Sequence, residues 1–183
     1  FYKDWQGNDN LPAPLTRYRD FINNLNKDEL IKYPGSAYLA MKIMRPTDKL
    51  YAFDLHKGEF PHLQKTLQQY INSDPRFEDG FMGLKSLIPH TTLKRGGALI
   101  DPSYEVKEEY TQTAQAIIEA HKKWPQGIYM AWYPILDKGH HEDLVNQLMA
   151  LGLPDEDFTI DEWHFGEVER GMKGTGMVII NPP

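Results

Sequence analysis

Apolar residues recur along this chain with two periods that take turns. Leu15, Tyr18, Phe21, Ile22 and Leu25 fall on one face of a 3.6-residue repeat, which predicts a helix. Tyr33-Pro34-Gly35-Ser36 then reads as a turn, with Ser36 placed to cap a second helix running through Ile43. Residues 49–55 read as a strand, and Leu63, Leu67, Tyr70 and Ile71 share the face of the helix after it. A short strand near 76–78 and a helix around 81–88 follow. Residues 97–101 are short, apolar and ended by Asp-Pro, the pattern of a buried parallel strand. Val106, Tyr110, Ala114, Ile117, His121 and Trp124 step by three or four and mark the longest amphipathic helix. Residues 128–132 give another strand, and Leu144, Val145, Leu148, Met149 and Leu151 another helical stripe.

Strand and helix alternating in this way imply an α/β fold, a mostly parallel sheet with helices on both faces. The last two strands, 158–165 and 177–180, break the rhythm. The glycine-rich segment 166–176 between them has no helical stripe and is too short for a parallel crossover, so the pair is expected to form an antiparallel hairpin. Residues 1–48 read as a helical segment leading into the sheet, and 49–183 as the α/β core.

Composition narrows the function. The 183 residues carry 20 Lys+Arg against 26 Asp+Glu, a formal net charge of −6. That balance argues against a chain built mainly to coat nucleic acid, and leaves room for a local basic patch. Cysteine is absent, which removes disulfides, thiolate metal sites and a thiol nucleophile, and suits a reducing, cytoplasmic setting. No apolar run approaches the ~18–20 residues of a membrane span. The chain opens on Phe1 and ends at Asn181-Pro182-Pro183, straight after an apolar run. It is therefore read as an excerpt of a longer protein.

In an open α/β sheet, ligands bind beyond the carboxyl ends of the strands. Those ends offer Asp54, then Asp79-Gly80, then Asp101-Pro102-Ser103-Tyr104, then Trp132-Tyr133-Pro134. A single Asp after a strand is as often a turn or cap residue as a ligand contact; three in succession point to one edge built for binding. Asp54 suits the hydroxyls of a ribose. The tetrapeptide at 101–104 resembles the (Asp/Asn)-Pro-Pro-(Tyr/Phe) motif of enzymes that methylate exocyclic nitrogens of bases. The lone pair of adenine N6 is delocalised into the ring. A carboxylate accepting one N–H and a proline-fixed carbonyl accepting the other favour its localisation, while the aromatic residue stacks on the flipped base. Trp132 and Tyr133 are candidates for a further stacking wall. Asn181-Pro182-Pro183 also matches the start of the motif, but it follows the terminal strand and has no aromatic after it.

Weaker signals have plainer readings. The run 171–176 precedes a strand, where phosphate loops follow one, and reads as a flexible hairpin loop. His140-His141-Glu142-Asp143 reads as a solvated helix start rather than a metal site. Lys94-Arg95, Lys122-Lys123, and Arg170 with Lys173 are basic clusters, of which Lys94, Arg95, Arg170 and Lys173 are the candidate RNA contacts.

With these residues in hand the chain resembles the RlmJ family, bacterial 23S ribosomal RNA adenine-N6 methyltransferases. The resemblance runs through Trp5-Gln6, Leu11-Pro12-Ala13, Tyr33-Pro34-Gly35-Ser36, Asp54-Leu55-His56, Asp79-Gly80-Phe81, Leu99 to Glu105, Trp132-Tyr133-Pro134-Ile135 and Gly176 to Pro183. It implies a class I S-adenosylmethionine-dependent methyltransferase, Rossmann-like, its mostly parallel sheet ending in an antiparallel hairpin. It implies S-adenosylmethionine contacts at Ser36, Asp54, Asp79, Gly80 and Asp101, and catalysis by Asp101; the tetrapeptide adds Pro102 and Tyr104 to the catalytic set, and the strand-end reading leaves Tyr104, Trp132 and Tyr133 as the base contacts. No metal is implied. The implied partner is 23S ribosomal RNA, protein-free or in an early assembly intermediate, met by a monomer away from any membrane. The alternatives are a DNA adenine methyltransferase and a non-catalytic nucleic-acid-binding protein tied to the use of external DNA. Two positions depart from the family pattern: Ser103 stands where a second Pro is usual, and Asp54 where Glu is common.

Overall fold

The computed structural model describes residues 10–26, 29–90, 92–166 and 171–183. The chain divides into two compact units, one formed by 1–52 and 56–76, the other by 53–55 and 77–183.

The first unit holds helices α1 (Ala13–Leu25), α2 (Ser36–Ile43) and α3 (Phe60–Leu67), and strands β1 (Leu50–Phe53, its last residue in the second unit) and β2 (Ser73–Arg76). β1 and β2 make a two-stranded sheet of their own. Pro14 lies in the first turn of α1, where a missing N–H costs nothing. Ile22 and Met41 are the buried residues of α1 and α2. Gly35, rather than Ser36, is the N-cap of α2, and no side chain caps that helix; Ser36 is its first helical residue. α3 ends at Leu67, so Tyr70 and the fully exposed Ile71 lie beyond it instead of extending its stripe.

The second unit contains α4 (Gly80–Leu87), β3 (Gly97–Ile100), α5 (Glu108–Lys123), β4 (Ile128–Leu136), α6 (His141–Met149), β5 (Phe158–His164) and β6 (Met172–Ile180). Its sheet runs β3-β4-β6-β5. β3 pairs parallel with β4, and β6 is antiparallel to both β4 and β5: the closing hairpin is present as expected, but β3–β4 is the one parallel pair of this sheet, which is therefore not a fully parallel one. The core lies on one face: Tyr129, Ala131, Tyr133 and Ile135 of β4 and Val178 and Ile180 of β6 pack with Tyr110, Ala114 and Ile117 of α5 and Leu144 and Leu148 of α6. On the other face Met130, Trp132, Met177 and Ile179 are half-buried, and Leu99 and Trp163 are exposed. β3 is thus not the strand buried on both faces that its sequence suggests.

The run at 171–176 is not a loop. All but Gly171 belongs to β6, and its glycines are there for packing. A Cβ on Gly176 would overlap the Tyr133 ring, and one on Gly174 would meet the Trp163 carbonyl oxygen. His141 is likewise not solvated: it is buried, stacked on Tyr133 with ring centroids 5.8 Å apart.

Candidate active site

β3 stops at Ile100, whose partner is Ala131, while β4 runs on to Leu136. Past Ala131, β4 therefore keeps β6 on one side and loses β3 on the other. The Ile128 N–H donates to the Gly96 carbonyl, so even-numbered residues of β4 aim their backbone groups toward β3. Continued one step, the ladder would bring the Trp132 carbonyl to the N–H of residue 102, and Pro102 has none. The Tyr104 hydroxyl donates to that carbonyl instead, at 2.7 Å. The Tyr110 hydroxyl, from the first turns of α5, donates to the carbonyl of Pro134 at 3.3 Å. Pro134 itself has no N–H to leave unpaired on this open edge. Two tyrosines thus stand in for the missing strand.

Reaching the carbonyl of Trp132 fixes the turn at 101–104. Tyr104 has φ 52°, the left-handed region that a residue with a Cβ seldom enters. Its ring is 5% exposed, 4.4 Å from the Tyr110 ring and 6.3 Å from that of Trp132. Burial drives its hydroxyl pKa far up, and the charge of Asp101 adds to that. Ser103, in the place of a second Pro, directs its Oγ to the Glu109 carboxylate at 3.3 Å. Asp101 stands at the exposed lip of the turn, yet desolvation of its carboxyl raises its pKa above the ordinary Asp value.

The other strand ends are held differently. Asp54 follows β1 directly and is half-buried. Asp79 is the N-cap of α4, its Oδ1 accepting the Met82 N–H at 3.0 Å, so the plainer cap reading of this residue holds. Phe53 links the two. Its Cβ faces Gly80, and its ring occupies the space that a Cβ on the buried Gly83 would need. Asp54, next in the chain, is thereby held beside the N-terminal turn of α4. β1 and β2 form their own sheet, so Asp54 and Asp79 do not share one sheet edge with Asp101. Ser36 belongs to the first unit, exposed at the start of α2.

Trp132 and Tyr133 part company. Both lie inside β4, not at its end, so alternation sends them to opposite faces. Tyr133 is fully buried and donates to Glu162 Oε1 at 2.8 Å across Gly176, and burial followed by that carboxylate pushes its pKa far up. It is a core residue here, not a stacking wall. Trp132 is half-buried on the open face, bordering a cleft of about 260 Å³ with Asp161, Trp163, Thr175 and Met177. Tyr104 has no open ring face either, so the structure brings Asp101, Pro102, Tyr104 and Trp132 together with Tyr104 as the clamp. Of the candidate basic residues, Lys173 is paired with Asp137 at 2.7 Å, Lys94 and Arg95 are exposed, and Arg170 lies outside the described residues, as do Trp5 and Gln6. Asn181 Nδ2 donates to the carbonyls of Pro125 and Gly127, fastening the strand exit. Among the described residues, no group of three His, Asp or Glu could hold a metal ion, and no helix is long and apolar enough to cross a membrane.

Sequence reasoning passed over Tyr110, Phe53, Gly83 and Glu109. Tyr110 was visible only as an apolar step of α5. The signal available for Gly83 was a glycine at i+3 from Gly80 inside a helix, a place where Gly usually marks a close approach.

The fold is that of the class I methyltransferases. A Streptococcus mutans protein solved in complex with SAH superposes with a TM-score of 0.54 at 16% identity, covering 93% of this chain and 99% of that one. The chain belongs to the RlmJ family, whose model, described as "Ribosomal RNA large subunit methyltransferase D, RlmJ", matches residues 3–183. It is 34% identical over 191 residues to the ribosomal RNA large subunit methyltransferase J of Escherichia coli, an alignment covering 98% of this chain. The chain spans 64% of that relative's length. A crystal structure of a Legionella pneumophila protein, 34% identical, superposes with a TM-score of 0.88 over the whole of this chain and 66% of that one.

Proposed function

We propose that the protein methylates N6 of adenine in 23S ribosomal RNA, with S-adenosylmethionine as the methyl donor. The observation that carries this reading is the turn Asp101-Pro102-Ser103-Tyr104 at the carboxyl end of β3, clamped to the free edge of β4. An acceptor carboxylate at the lip of a rigid turn, next to a proline carbonyl, is suited to an exocyclic amine, whose two N–H groups must be held while its lone pair attacks. Asp101 accepts one N–H and the Pro102 carbonyl the other. Trp132, on the open face, offers the base a wall; Tyr104 keeps the turn in register.

The methyl donor's residues are proposed at Asp54, Asp79, Gly80, Asp101 and Ser36. The donor set fits. Carboxylates accept from ribose hydroxyls, and the N-terminal turn of α4 beside Gly80 is held against Phe53. When bound, S-adenosylmethionine supplies an electrophilic methyl group. Asp54 orients the ribose, and Asp101 must be ionised to accept from the amine. The first strand and glycine-rich loop are proposed to lie in the part of the relatives' length that this chain does not span. The setting is the cytoplasm and the partner protein-free or early-assembly ribosomal RNA, met by a monomer with no metal.

The test is transfer of labelled methyl to deproteinised ribosomal RNA by the full-length protein, with duplex DNA as the contrast. Asp101→Ala should abolish transfer without loss of fold. Because the folded protein raises the pKa of Asp101, protonation removes the acceptor above the pH at which an ordinary Asp titrates. The acid limb of kcat should therefore lie higher in pH than an unperturbed Asp would place it. Near wild-type transfer by Asp101→Ala would refute the assignment.

A further inference from the structure

The net charge of −6 hides an uneven division. The unit formed by 1–52 and 56–76 holds 11 Lys+Arg and 8 Asp+Glu, a formal +3; the unit that bears Asp101 holds 9 and 18, a formal −9. The basic residues of the first unit are dispersed along the sequence, and the fold gathers several of them onto tyrosine rings. The Lys42 ammonium lies 5.2 Å from the Tyr38 ring centroid and 5.5 Å from that of Tyr70. Lys49 lies 5.1 Å from the Tyr51 ring, and the Arg76 guanidinium 5.3 Å from the same ring. Asn72 joins the two groups, its backbone carbonyl accepting from Leu50 N–H and its side chain donating to the Asp48 carbonyl.

An ion pair and a ring contact position a cation with opposite results. A carboxylate cancels the charge it holds, as Asp48 does for Arg45 and Asp74 for Arg76. A ring face fixes the ammonium by its quadrupole and leaves the charge in place. Lys42 and Lys49 make no ion pair with a described carboxylate, so both are oriented cations with their charge uncancelled, exposed to solvent. An oriented cation loses less side-chain entropy on meeting an anion than a free lysine does. Arg17, Lys32, Lys57 and Lys65 add exposed positive charge to the same unit. Tyr33, 68% exposed and edge-on to Tyr18 at 6.4 Å, presents a ring on which an unpaired base can stack.

We propose that this ring-held basic surface, centred on Lys42 and Lys49, docks the phosphate backbone of the RNA, on a unit other than the one that bears the Asp101 turn. The proposal rests on the ribosomal RNA reading given above. The acidic unit repels the backbone and admits the target base; the basic unit supplies the grip.

The experiment uses the full-length protein and a deproteinised 23S ribosomal RNA transcript. Two charge-reversed proteins are compared, Lys42→Glu/Lys49→Glu in the basic unit and Lys122→Glu/Lys123→Glu on α5 in the acidic one. Loss of two phosphate contacts should weaken RNA binding by about tenfold in the first pair, with KM for RNA rising in step. Its kcat at saturating RNA and its affinity for S-adenosylmethionine should stay at wild-type values. The second pair should move RNA binding no more than about twofold. Equal effects of the two pairs, or wild-type binding by the first, would overturn the proposal. The milder Lys42→Gln/Lys49→Gln should show the same order of effects if charge reversal disturbs the fold. Binding is measured without methyl transfer, so a failure of the Asp101 assignment would leave this result standing, and the reverse.

Discussion

Tyr104 sits in a backbone region that costs a non-glycine residue of the order of 1–3 kcal/mol, and the surrounding contacts hold it there. Its hydroxyl satisfies a carbonyl that the end of β3 and the missing N–H of Pro102 would leave unpaired. In the sequence, the motif alone makes Tyr104 a base-stacking residue, for which Phe would be nearly silent. In the structure, the hydroxyl matters and the ring faces are taken. Tyr104→Phe should therefore lower kcat by about tenfold, the worth of one hydrogen bond that holds the Asp101 turn. KM for RNA and the affinity for S-adenosylmethionine should remain unchanged, since the group is a positioning one that touches neither. Steady-state kinetics on the full-length protein checks this; an unaltered kcat would return Tyr104 to the stacking role.

At the level of elements, hydrophobic period located most of the helices and strands of the second unit, including the antiparallel hairpin that sets the fold class. Its failures have particular causes. β4 and β6 extend four and five residues beyond their apolar runs because Tyr133, Pro134, Lys173, Gly174 and Gly176 are strand residues for cross-strand reasons no single-strand pattern contains. The Tyr133 ring needs a partner without a side chain, and Gly176 opposite it is one. The same logic put Gly83 under Phe53. The Asp-Pro-Ser-Tyr motif at 101–104 was legible because its four residues are adjacent, whereas the clamp from Tyr104 to Trp132 spans 28 positions and was not. These two glycines make a paired prediction. Gly176→Ala should destabilise by about 1–3 kcal/mol, as overpacking of a tight site does, through displacement of Tyr133 and loss of its bond to Glu162. Gly83→Ala should do similar harm to stability and also weaken S-adenosylmethionine binding, because Phe53 must shift and Asp54 follows it. Urea unfolding with calorimetry separates them, with Gly166→Ala, which meets nothing within 4 Å, as the neutral control.

For the whole molecule, net charge is a poor guide to the RNA binding proposed above. A sum of −6 reads as an acidic enzyme, and scanning for adjacent basic pairs finds Lys94-Arg95 and Lys122-Lys123. The larger signal is the division between units, +3 against −9, which emerges only once the chain is partitioned as it folds. Grip confined to a few oriented cations has a measurable consequence. Each phosphate neutralised releases counter-ions, so the logarithm of the RNA binding constant falls against log salt with a slope of about −0.7 to −0.9 per contact. With Lys42, Lys49 and one or two neighbours engaged, the slope should be about −2 to −3.5, shallower than the roughly −4 to −9 expected for ~6–10 contacts. Lys42→Glu/Lys49→Glu should reduce its magnitude by about 1.5, and Lys122→Glu/Lys123→Glu should leave it where it was. Titrating the full-length protein with the ribosomal RNA transcript from 50 to 300 mM salt gives both slopes. A value steeper than about −5 would mean that the dominant basic surface lies outside the residues described by this structure.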